Sequence, residues 1–308
     1  MPDTDPAALE TVPRLPTSMT ADARSIVRYY AAAELDYRLV WRLGSQMAMH
    51  FGYWDSSTKT LAAALQRENQ VLAEWAGIRG SDSVLDAGCG VGGSAIYLGR
   101  NIGCRVLGIT LSESQVRTAK RNAARATVSE LAHFEQRDFV ATGLPDASFD
   151  VVWAIESVCH AEKKLDFLRE AYRILRPGGR LIVADGFAIK NELSQDEAAL
   201  MRSWLEGWAV PSIDSVEQFR RDIQAAGFDV AREQDATENV VPSSRRLYRL
   251  AHLRFLGYLL HALRLRSRSA HGNAIAARNQ YFALKQGLCG YHIFLAVKRG
   301  EIGVRSLP

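Results

Sequence analysis

The chain has 308 residues, of which 47% are apolar, so it is long enough to bury a large core. Its 38 Lys and Arg residues and 34 Asp and Glu residues give a formal net charge of +4. This charge is local, because seven arginines fall between Arg245 and Arg268 and no acid occurs between Glu238 and Glu301. A basic segment in an otherwise balanced chain argues against a general nucleic-acid-binding protein.

The four cysteines lie far apart in the chain, without a CxxC pair or a His cluster at metal-ligand spacing. Neither a disulfide framework nor a zinc site is indicated, so we expect no bound metal and a location in a reducing cytoplasm. Only one β/α series is visible, which favours one elaborated domain over the two that length alone would suggest.

The N-terminal part of the chain is predicted to precede the main fold. Residues 1–20 carry several prolines and no long apolar run, so we expect a disordered tail rather than a secretory signal or an early membrane span. From residue 21 to about 45 the apolar spacing predicts an amphipathic helix, and an aromatic loop follows. We expect residues 21–65 to form a helical cap and residues 66–190 the core. Residues 191–300 would add lid helices and the last strands to the same domain.

A short apolar strand runs into a glycine loop within residues 83–93, and a helix begins at Ser94. Glycine permits a positive φ in such a turn, and the helix N-terminus presents unpaired N–H groups to a ligand. The spacing Gly88-x-Gly90-x-x-Gly93 therefore indicates a ligand loop, although dinucleotide-binding enzymes share it.

The second strand distinguishes between these two kinds of site. A dinucleotide site is expected to carry an acid at the end of that strand, where it holds ribose hydroxyls. Here the strand ends at Thr110 and Leu111 without an acid, and the acid precedes the glycines as Asp86. An NAD-dependent oxidoreductase or a non-catalytic nucleotide-binding module is thus the less favoured interpretation.

Helices and strands alternate along the middle of the chain, which predicts a parallel sheet with helices on both faces. The ligand crevice of such a fold lies at the carboxyl ends of the strands. The last two strands are predicted at 228–232 and 291–297. Helices are predicted at 61–76, 94–101, 112–126, 163–175, 196–210 and 215–226, and further strands at 104–109, 133–137, 149–155 and 180–184.

The segment from Asp86 to Gly93 resembles motif I of the S-adenosylmethionine-dependent methyltransferases with a Rossmann-like fold. Residues 108–115 resemble the branch that contains cyclopropane fatty acid synthases and terpenoid and sterol C-methyltransferases, and later segments match further landmarks of the class. The resemblance covers about residues 50–190. It implies an α/β, Rossmann-like fold with a seven-stranded, mostly parallel sheet, an N-terminal helical cap and a helical lid. In this fold the last strand, at 291–297, would lie antiparallel beside the one at 228–232.

The resemblance also implies which residues hold S-adenosylmethionine. Asp86 and the glycine loop would bind the methionine end, the end of the second strand the ribose, and the segment after the third strand the adenine. The expected cofactor-binding residues are Asp86, Gly88, Gly90, Thr110, Leu111, Gln115, Asp138 and Phe139.

The run from Ala154 to His160 follows the fourth strand, at the sheet edge where an acceptor would meet the methyl group. It resembles the corresponding segment of sterol side-chain methyltransferases, and terpenoid C-methyltransferases carry a glutamate at the position of Glu156. An alkene that attacks a methyl group becomes a carbocation, which needs an electron-rich environment and then a base. We therefore predict catalytic roles for Glu156 and His160. The alternatives are a glutamate that orients the N-terminal loop or caps a helix, and a loop histidine with satisfied hydrogen bonds.

Aromatic residues outside the core segment are candidates for the acceptor site, since ring faces stabilise a nearby cation. The run His50-Phe-Gly-Tyr-Trp54 resembles a segment of sterol and tocopherol methyltransferases that closes the site, but ordinary packing explains such residues equally well. The expected acceptor-binding residues are Tyr30, His50, Tyr53, Trp54, Trp204 and Trp208.

Three interpretations remain open for the arginine-rich segment from Arg245 to Arg268. It is too charged to span a bilayer. It would be a solvated helix with one face on the core, a basic helix that transiently contacts a membrane surface, or a clamp for a diphosphate.

These features predict a methyltransferase that acts on a lipophilic small molecule. The favoured reaction is C-methylation of an isoprenoid alkene, in a sterol, a prenyl diphosphate or a prenylated natural product. The first alternative is O-, N- or ring C-methylation of an aromatic or alkaloid-like metabolite, with His160 as the general base. A cyclopropane synthase is less favoured, because the bicarbonate-binding residues of that family are not evident.

Overall fold

The computed structural model describes residues 47–48, 50–253 and 268–299. The N-terminal tail, the cap helix with Tyr30, and most of the arginine-rich segment lie outside these residues. The described helices are α1 (Leu61–Ala76), α2 (Gly93–Asn101), α3 (Glu113–Arg125), α4 (Lys164–Ile174), α5 (Gln195–Gly207), α6 (Val216–Ala225), α7 (Thr237–Leu253) and α8 (Arg268–Lys285). The strands are β1 (Ser83–Ala87), β2 (Arg105–Thr110), β3 (Ala132–Gln136), β4 (Phe149–Ile155), β5 (Leu175–Ala188), β6 (Phe228–Asp235) and β7 (Cys289–Lys298).

The seven strands form one sheet in the order β3-β2-β1-β4-β5-β7-β6. The first five strands are parallel, and β7 is antiparallel to both of its neighbours, β5 and β6. The predicted Rossmann-like fold, including the antiparallel last strand beside β6, is therefore confirmed. The order reverses between β1 and β4, and ligands of such sheets bind where the order reverses.

Alternating residues of the central strands supply two cores, one on each face of the sheet. On β4, Trp153 packs with residues of α1 and α2, whereas Val152 packs with residues of α4 and α6. Both side chains are fully buried. A strand that is apolar on both faces is typical of a parallel sheet covered by helices, which explains the continuous apolar run.

The helical lid is built from α5, α7 and α8. A Cβ added to Gly207 would lie 2.7 Å from the Cβ of Ala276, so α5 and α8 approach each other closely there. Asn279 donates to the Ser203 hydroxyl at 3.0 Å, and Ser244 on α7 donates to Gln280 on α8 at 2.5 Å. These contacts hold the three helices over the carboxyl ends of β4 and β5.

Candidate active site

Two cavities lie at the carboxyl edge of the sheet and share two side chains, Glu156 and His160. The larger, with a volume of about 320 Å³, is bounded by the loops after β1, β2 and β3, and we call it the cofactor cavity. The smaller, of about 150 Å³, is bounded by the lid helices and the ends of β5 and β7, and we call it the acceptor cavity.

The glycine loop forms one wall of the cofactor cavity. Gly88, Gly90 and Gly92 have φ values of 89°, 52° and 90°, in the left-handed region that glycine adopts without strain. At Gly88 a Cβ would lie only 2.4 Å from the Cβ of Ser157, so no larger residue fits. The backbone of the loop is thereby exposed to a ligand at the N-terminus of α2.

A second wall is formed after β2 and β3. The Thr110 hydroxyl donates to the Gln115 side-chain oxygen at 2.6 Å, which fixes the first turn of α3 beside the end of β2. Asp138 accepts from the Val140 N–H at 3.0 Å, and the Phe139 ring lies edge-on to Phe167 with centroids 5.4 Å apart. All eight residues predicted to hold the cofactor line this cavity, namely Asp86, Gly88, Gly90, Thr110, Leu111, Gln115, Asp138 and Phe139. Their contact with the cofactor stays a prediction.

The aromatic loop lies across both cavities. Its first residues line the cofactor cavity, among them His50, and Phe51 lines the acceptor cavity. The two aromatic residues that follow point elsewhere: Tyr53 accepts from the Gln234 amide at 3.0 Å, and Trp54 donates to the Ser243 hydroxyl at 2.8 Å. Neither Tyr53 nor Trp54 belongs to the described lining of either cavity, because these contacts turn both side chains toward β6 and α7.

Glu156 lies at the junction of the two cavities in a strained backbone conformation, with a φ of 47°. This region costs a non-glycine residue about 1–2 kcal/mol, and the Glu156 N–H bond to the Ala184 carbonyl, at 2.8 Å, helps to hold it there. One carboxyl oxygen accepts from the Phe51 N–H at 2.7 Å. Burial, followed by the charge of Glu68, raises the pKa of Glu156 well above its ordinary range.

His160 ends a short 3₁₀ helix, Val158–His160, on the other side of the junction. Its Nδ1 lies 3.3 Å from the Ala209 carbonyl, which only accepts, so Nδ1 is the donor and Nε2 has a basic lone pair. Burial lowers the pKa of His160 to about 4, so the ring is neutral near pH 7. Lys164 holds the backbone on both sides of this ring, by donating to the carbonyls of Cys159 and Ala161.

The acceptor cavity is mostly apolar and rich in aromatic rings. Trp204 and Trp208 both line it and meet edge to face, with centroids 6.1 Å apart. The Phe51 ring lies 6.3 Å from Trp208 and 6.3 Å from Tyr291. The structure thus brings two of the predicted acceptor residues, Trp204 and Trp208, together beside Glu156.

Sequence reasoning missed several residues of this region. Tyr291 and Asp185 line the acceptor cavity from β7 and β5, and Glu68 is buried just behind it on α1. Glu68 could have been noticed in the sequence, because it lies on the same helical face as Leu65 and Leu72, where an acid is unexpected. Nothing in the sequence marks Tyr291, since an aromatic residue in a strand is ordinary.

Comparison with known proteins identifies the family of this chain and the type of reaction that the family catalyses. A family model described as a methyltransferase domain matches residues 85–183. The chain is 36% identical over 195 residues to a 27-O-demethylrifamycin SV methyltransferase from Amycolatopsis mediterranei strain S699, over 63% of this chain and 71% of that relative. The chain belongs to the S-adenosylmethionine-dependent methyltransferases.

Other relatives of this methyltransferase have different acceptors in their names. This chain is 30% identical over 231 residues to a sterol 24-C-methyltransferase from Eremothecium gossypii, and the match covers 73% of this chain and 62% of that relative. The crystal structure of a geranyl diphosphate C-methyltransferase from Streptomyces coelicolor A3(2), in complex with Mg²⁺, geranyl-S-thiolodiphosphate and S-adenosyl-L-homocysteine, superposes with a TM-score of 0.72. That match is 20% identical, over 92% of this chain and all of that one, and shows a common fold.

The residues of the cofactor cavity fit S-adenosylmethionine. Asp86 is 3% exposed, and its Oδ2 has no hydrogen-bond partner among the described residues. Burial raises the pKa of this carboxyl to about 7, and a ligand ammonium group beside it would favour the ionised form. Asp86 and the glycine-loop backbone would hold the methionine end, and the Thr110–Gln115 pair would face the ribose.

Of the arginine-rich segment, the structure of this methyltransferase describes residues 245–253 and Arg268. On α7, Arg245 and Arg249 are exposed and Leu247 is buried, so this part packs one face on the core. No described helix is long and apolar enough to cross a membrane. Membrane contact through the rest of the segment and a cytoplasmic location stay predictions.

Proposed function

We propose that this methyltransferase transfers the methyl group to an alkene carbon of an uncharged lipophilic acceptor, such as a sterol or a prenylated natural product. The position of Glu156 carries this proposal: its carboxyl group lies where the two cavities meet, beside aromatic rings. A methyl donor in one cavity and an alkene in the other would meet at this side chain.

The cofactor supplies a methyl group activated by a sulfonium, and the protein supplies orientation, charge and a base. Orientation in a closed site accounts for effective molarities of about 10⁵–10⁸ M in favourable systems. The rings of Trp204, Trp208 and Phe51 would face the developing carbocation, with a cation–π contribution of about 0.5–2 kcal/mol each when desolvated. The Glu156 carboxylate would stabilise the cation and then take its proton.

The lining of the acceptor cavity favours neutral acceptors over prenyl diphosphates. Among the described residues, the two acids that face it, Glu156 and Asp185, would oppose a diphosphate, whereas they would stabilise a cation. The remaining lining is mostly aliphatic and aromatic, which suits an isoprenoid body. Of the acceptors predicted from the sequence, sterol-like and prenylated compounds therefore fit best.

O-Methylation of a hydroxyl group is a second candidate, favoured by His160. The imidazole is neutral near pH 7 and can take a proton from a hydroxyl group through Nε2, although burial makes it a weaker base than a free histidine. The name of the relative with 36% identity gives a 27-O-demethyl compound as its substrate. In this case His160 would be the base and Glu156 would only position the aromatic loop.

Methyl-labelled S-adenosylmethionine and a panel of acceptors distinguish the two reactions. The purified protein is incubated with sterols, prenylated phenols, plain phenols and prenyl diphosphates, and the products are located by mass spectrometry. A label on an alkene carbon of an uncharged acceptor is the expected result. A label on oxygen supports the second candidate, and efficient transfer to a prenyl diphosphate contradicts the preference for neutral acceptors.

A further inference from the structure

A polar side chain in the mostly apolar wall of the acceptor cavity is held by a neighbouring helix. Gln280 on α8 lines this cavity and is 2% exposed. Its side-chain oxygen accepts from the Ser244 hydroxyl of α7 at 2.5 Å. This distance is typical of an O–H donor and is shorter than the usual N–H···O hydrogen bond. The amide oxygen therefore faces Ser244, and the amide nitrogen remains for another partner.

Two hydrogen-bond donors in the lining of this cavity have no acceptor. No described residue accepts a hydrogen bond from the Gln280 amide nitrogen. The same is true of the indole N–H of Trp204 on α5, a side chain that is 6% exposed and lines the same cavity. A buried donor without a partner costs about 1–3 kcal/mol, so native proteins rarely contain one. Two such donors therefore indicate a ligand that accepts hydrogen bonds.

Contacts between α5 and α8 place the two donors at the same level of the lid. The hydrogen bond between Asn279 and Ser203, at 3.0 Å, joins the residues that precede Gln280 and Trp204. The residues of α8 that line the cavity recur every three or four positions, as expected for one face of a helix; they include Asn273, Ala277, Gln280 and Leu284. Adjacent faces of two packed helices thus bring both donors to one cavity wall.

A carbonyl oxygen is the group that matches this pair of donors. It has two lone pairs, so it accepts from both donors and has no proton that needs an acceptor in return. A hydroxyl group would bring a proton to a wall in which the Gln280 amide oxygen is already bonded to Ser244. An indole has a negative face and a positive edge, so Trp204 can bind an oxygen with its N–H edge and stabilise a cation with its face.

We propose that Gln280 and Trp204 form a subsite for a carbonyl oxygen, so that the methyl acceptor is an uncharged isoprenoid that carries a ketone, ester or lactone group. The inference rests on the proposed function in that this cavity receives the acceptor. The alkene and the carbonyl group are separate parts of that molecule, which bind at Glu156 and at the lid helices. The subsite thereby fixes which alkene carbon of the acceptor reaches the junction of the two cavities.

Titration with a small ketone and its hydrocarbon counterpart tests this subsite. Cyclohexanone and methylidenecyclohexane have similar shapes and differ in that an oxygen takes the place of a CH₂ group. Each is added to ¹⁵N-labelled protein saturated with S-adenosylhomocysteine, and Trp204→Phe and Gln280→Met assign the two N–H signals in the nuclear magnetic resonance spectrum. We expect the ketone, but not the hydrocarbon, to move both signals downfield. Absence of these shifts at the solubility limit of the ketone overturns the subsite.

Calorimetric titration of variants separates hydrogen bonding in the subsite from the stability of the lid. Gln280→Met keeps the length of the side chain but removes the donor, so the Kd for cyclohexanone should rise about two- to tenfold. The Kd for methylidenecyclohexane should not rise. Asn279→Ala is the matched control on α8, because Asn279 bonds to Ser203 outside the described lining of the cavity. It should change neither Kd by more than about twofold. An equal rise for both ligands in Gln280→Met overturns the subsite.

The outcomes distinguish this subsite from the proposed function, because binding of a ketone requires no methyl transfer. Downfield shifts with cyclohexanone, together with no label on an alkene carbon in the acceptor panel, would contradict the proposed function and leave the subsite standing. Labelled alkene carbons without any ketone-dependent shift would overturn the subsite and leave the proposed function standing.

Discussion

The cofactor cavity and the acceptor cavity meet at Glu156 and His160 but are built in different ways. The first is formed mainly by residues 86–166, from consecutive strand ends and the loops after them. The second draws on residues from Phe51 to Tyr291, which come from the aromatic loop, the lid helices and β7. A cavity made of local motifs can be found from its sequence, whereas one assembled from distant segments depends on the fold.

The largest expected effect lies at the junction of the two cavities. Glu156→Gln keeps the shape of the side chain but removes the carboxylate, and general-base catalysis contributes about 10²–10⁴-fold. We expect kcat for a carbon acceptor to fall within that range while the Kd for S-adenosylmethionine stays within about threefold. Calorimetric titration and labelled turnover measure the two quantities.

His160→Gln is the matched comparison for this prediction. If the acceptor atom is carbon, the Glu156 variant should be more impaired than the His160 variant. The reverse order would assign the base to His160 and favour oxygen as the acceptor. Equal and complete inactivation with unchanged cofactor binding would mean that the two residues act as one unit.

The second prediction concerns the cofactor cavity alone. Gly88→Ala places a methyl group 2.4 Å from Ser157 and forces alanine to a φ of 89°. We expect a loss of at least about 2 kcal/mol in the free energy of unfolding, together with loss of measurable S-adenosylmethionine binding. Denaturant unfolding and calorimetric titration report the two effects.

Gly178→Ala is the control for Gly88→Ala. Gly178 has a φ of 75°, but a Cβ there would meet nothing within 4 Å. This variant should lose only about 1–2 kcal/mol from backbone strain and should bind the cofactor normally. Equal effects of the two variants on cofactor binding would contradict the close approach of Gly88 to Ser157.

The contrast between the cavities explains what the sequence could and could not predict. The loop from Asp86 to Gly93 is a local pattern with a direct physical meaning, and its residues do line one cavity. The parallel sheet followed from the alternation of helices and strands, and the antiparallel last strand from the resemblance to the methyltransferase fold. These features depend on neighbours in the chain, so they are visible without coordinates.

The acceptor cavity was predicted less completely for the same reason. Trp54 and Ser243 are 189 residues apart, and their hydrogen bond turns the indole away from both cavities. Tyr291 reaches Glu68 and Glu156 across similar separations. A pattern of aromatic residues indicated the region but not the direction of each side chain, which is set by tertiary contacts.

The third prediction uses pH to separate the two regions. Burial lowers the pKa of His160 from 6.5 to about 4. Between these two pH values the unfolded state therefore binds more protons than the folded state. The contribution of His160 to stability is therefore present above pH 6.5 and lost as the pH falls toward 4. Asp86, whose pKa is raised from 3.8 to about 7, has the opposite sign: its contribution is present below pH 3.8 and lost as the pH rises to about 7.

Two variants isolate these opposed contributions. Relative to the wild type, His160→Gln should gain about 1–3 kcal/mol in the free energy of unfolding when the pH is lowered from 7 to 5. Asp86→Asn should lose a similar amount over the same change. Unfolding by urea at several pH values, without cofactor, measures both. A change of the same sign in the two variants would refute the assigned protonation states.

The smallest expected effect tests which aromatic residues bind the acceptor. Trp208→Phe shortens a ring that packs against Trp204 and Phe51, and such pairs contribute about 0.5–1.5 kcal/mol. The KM for the acceptor should rise by about two- to tenfold, with an unchanged Kd for S-adenosylmethionine. Trp54→Phe is the control, because it makes the same change in ring size outside the described lining of both cavities and removes the hydrogen bond to Ser243. It should lower stability by about 1 kcal/mol and leave the acceptor KM unchanged. If Trp54→Phe raised the KM as much as Trp208→Phe, the aromatic loop would have to close further over the acceptor when it binds, and Trp54 would join the site as the sequence predicts.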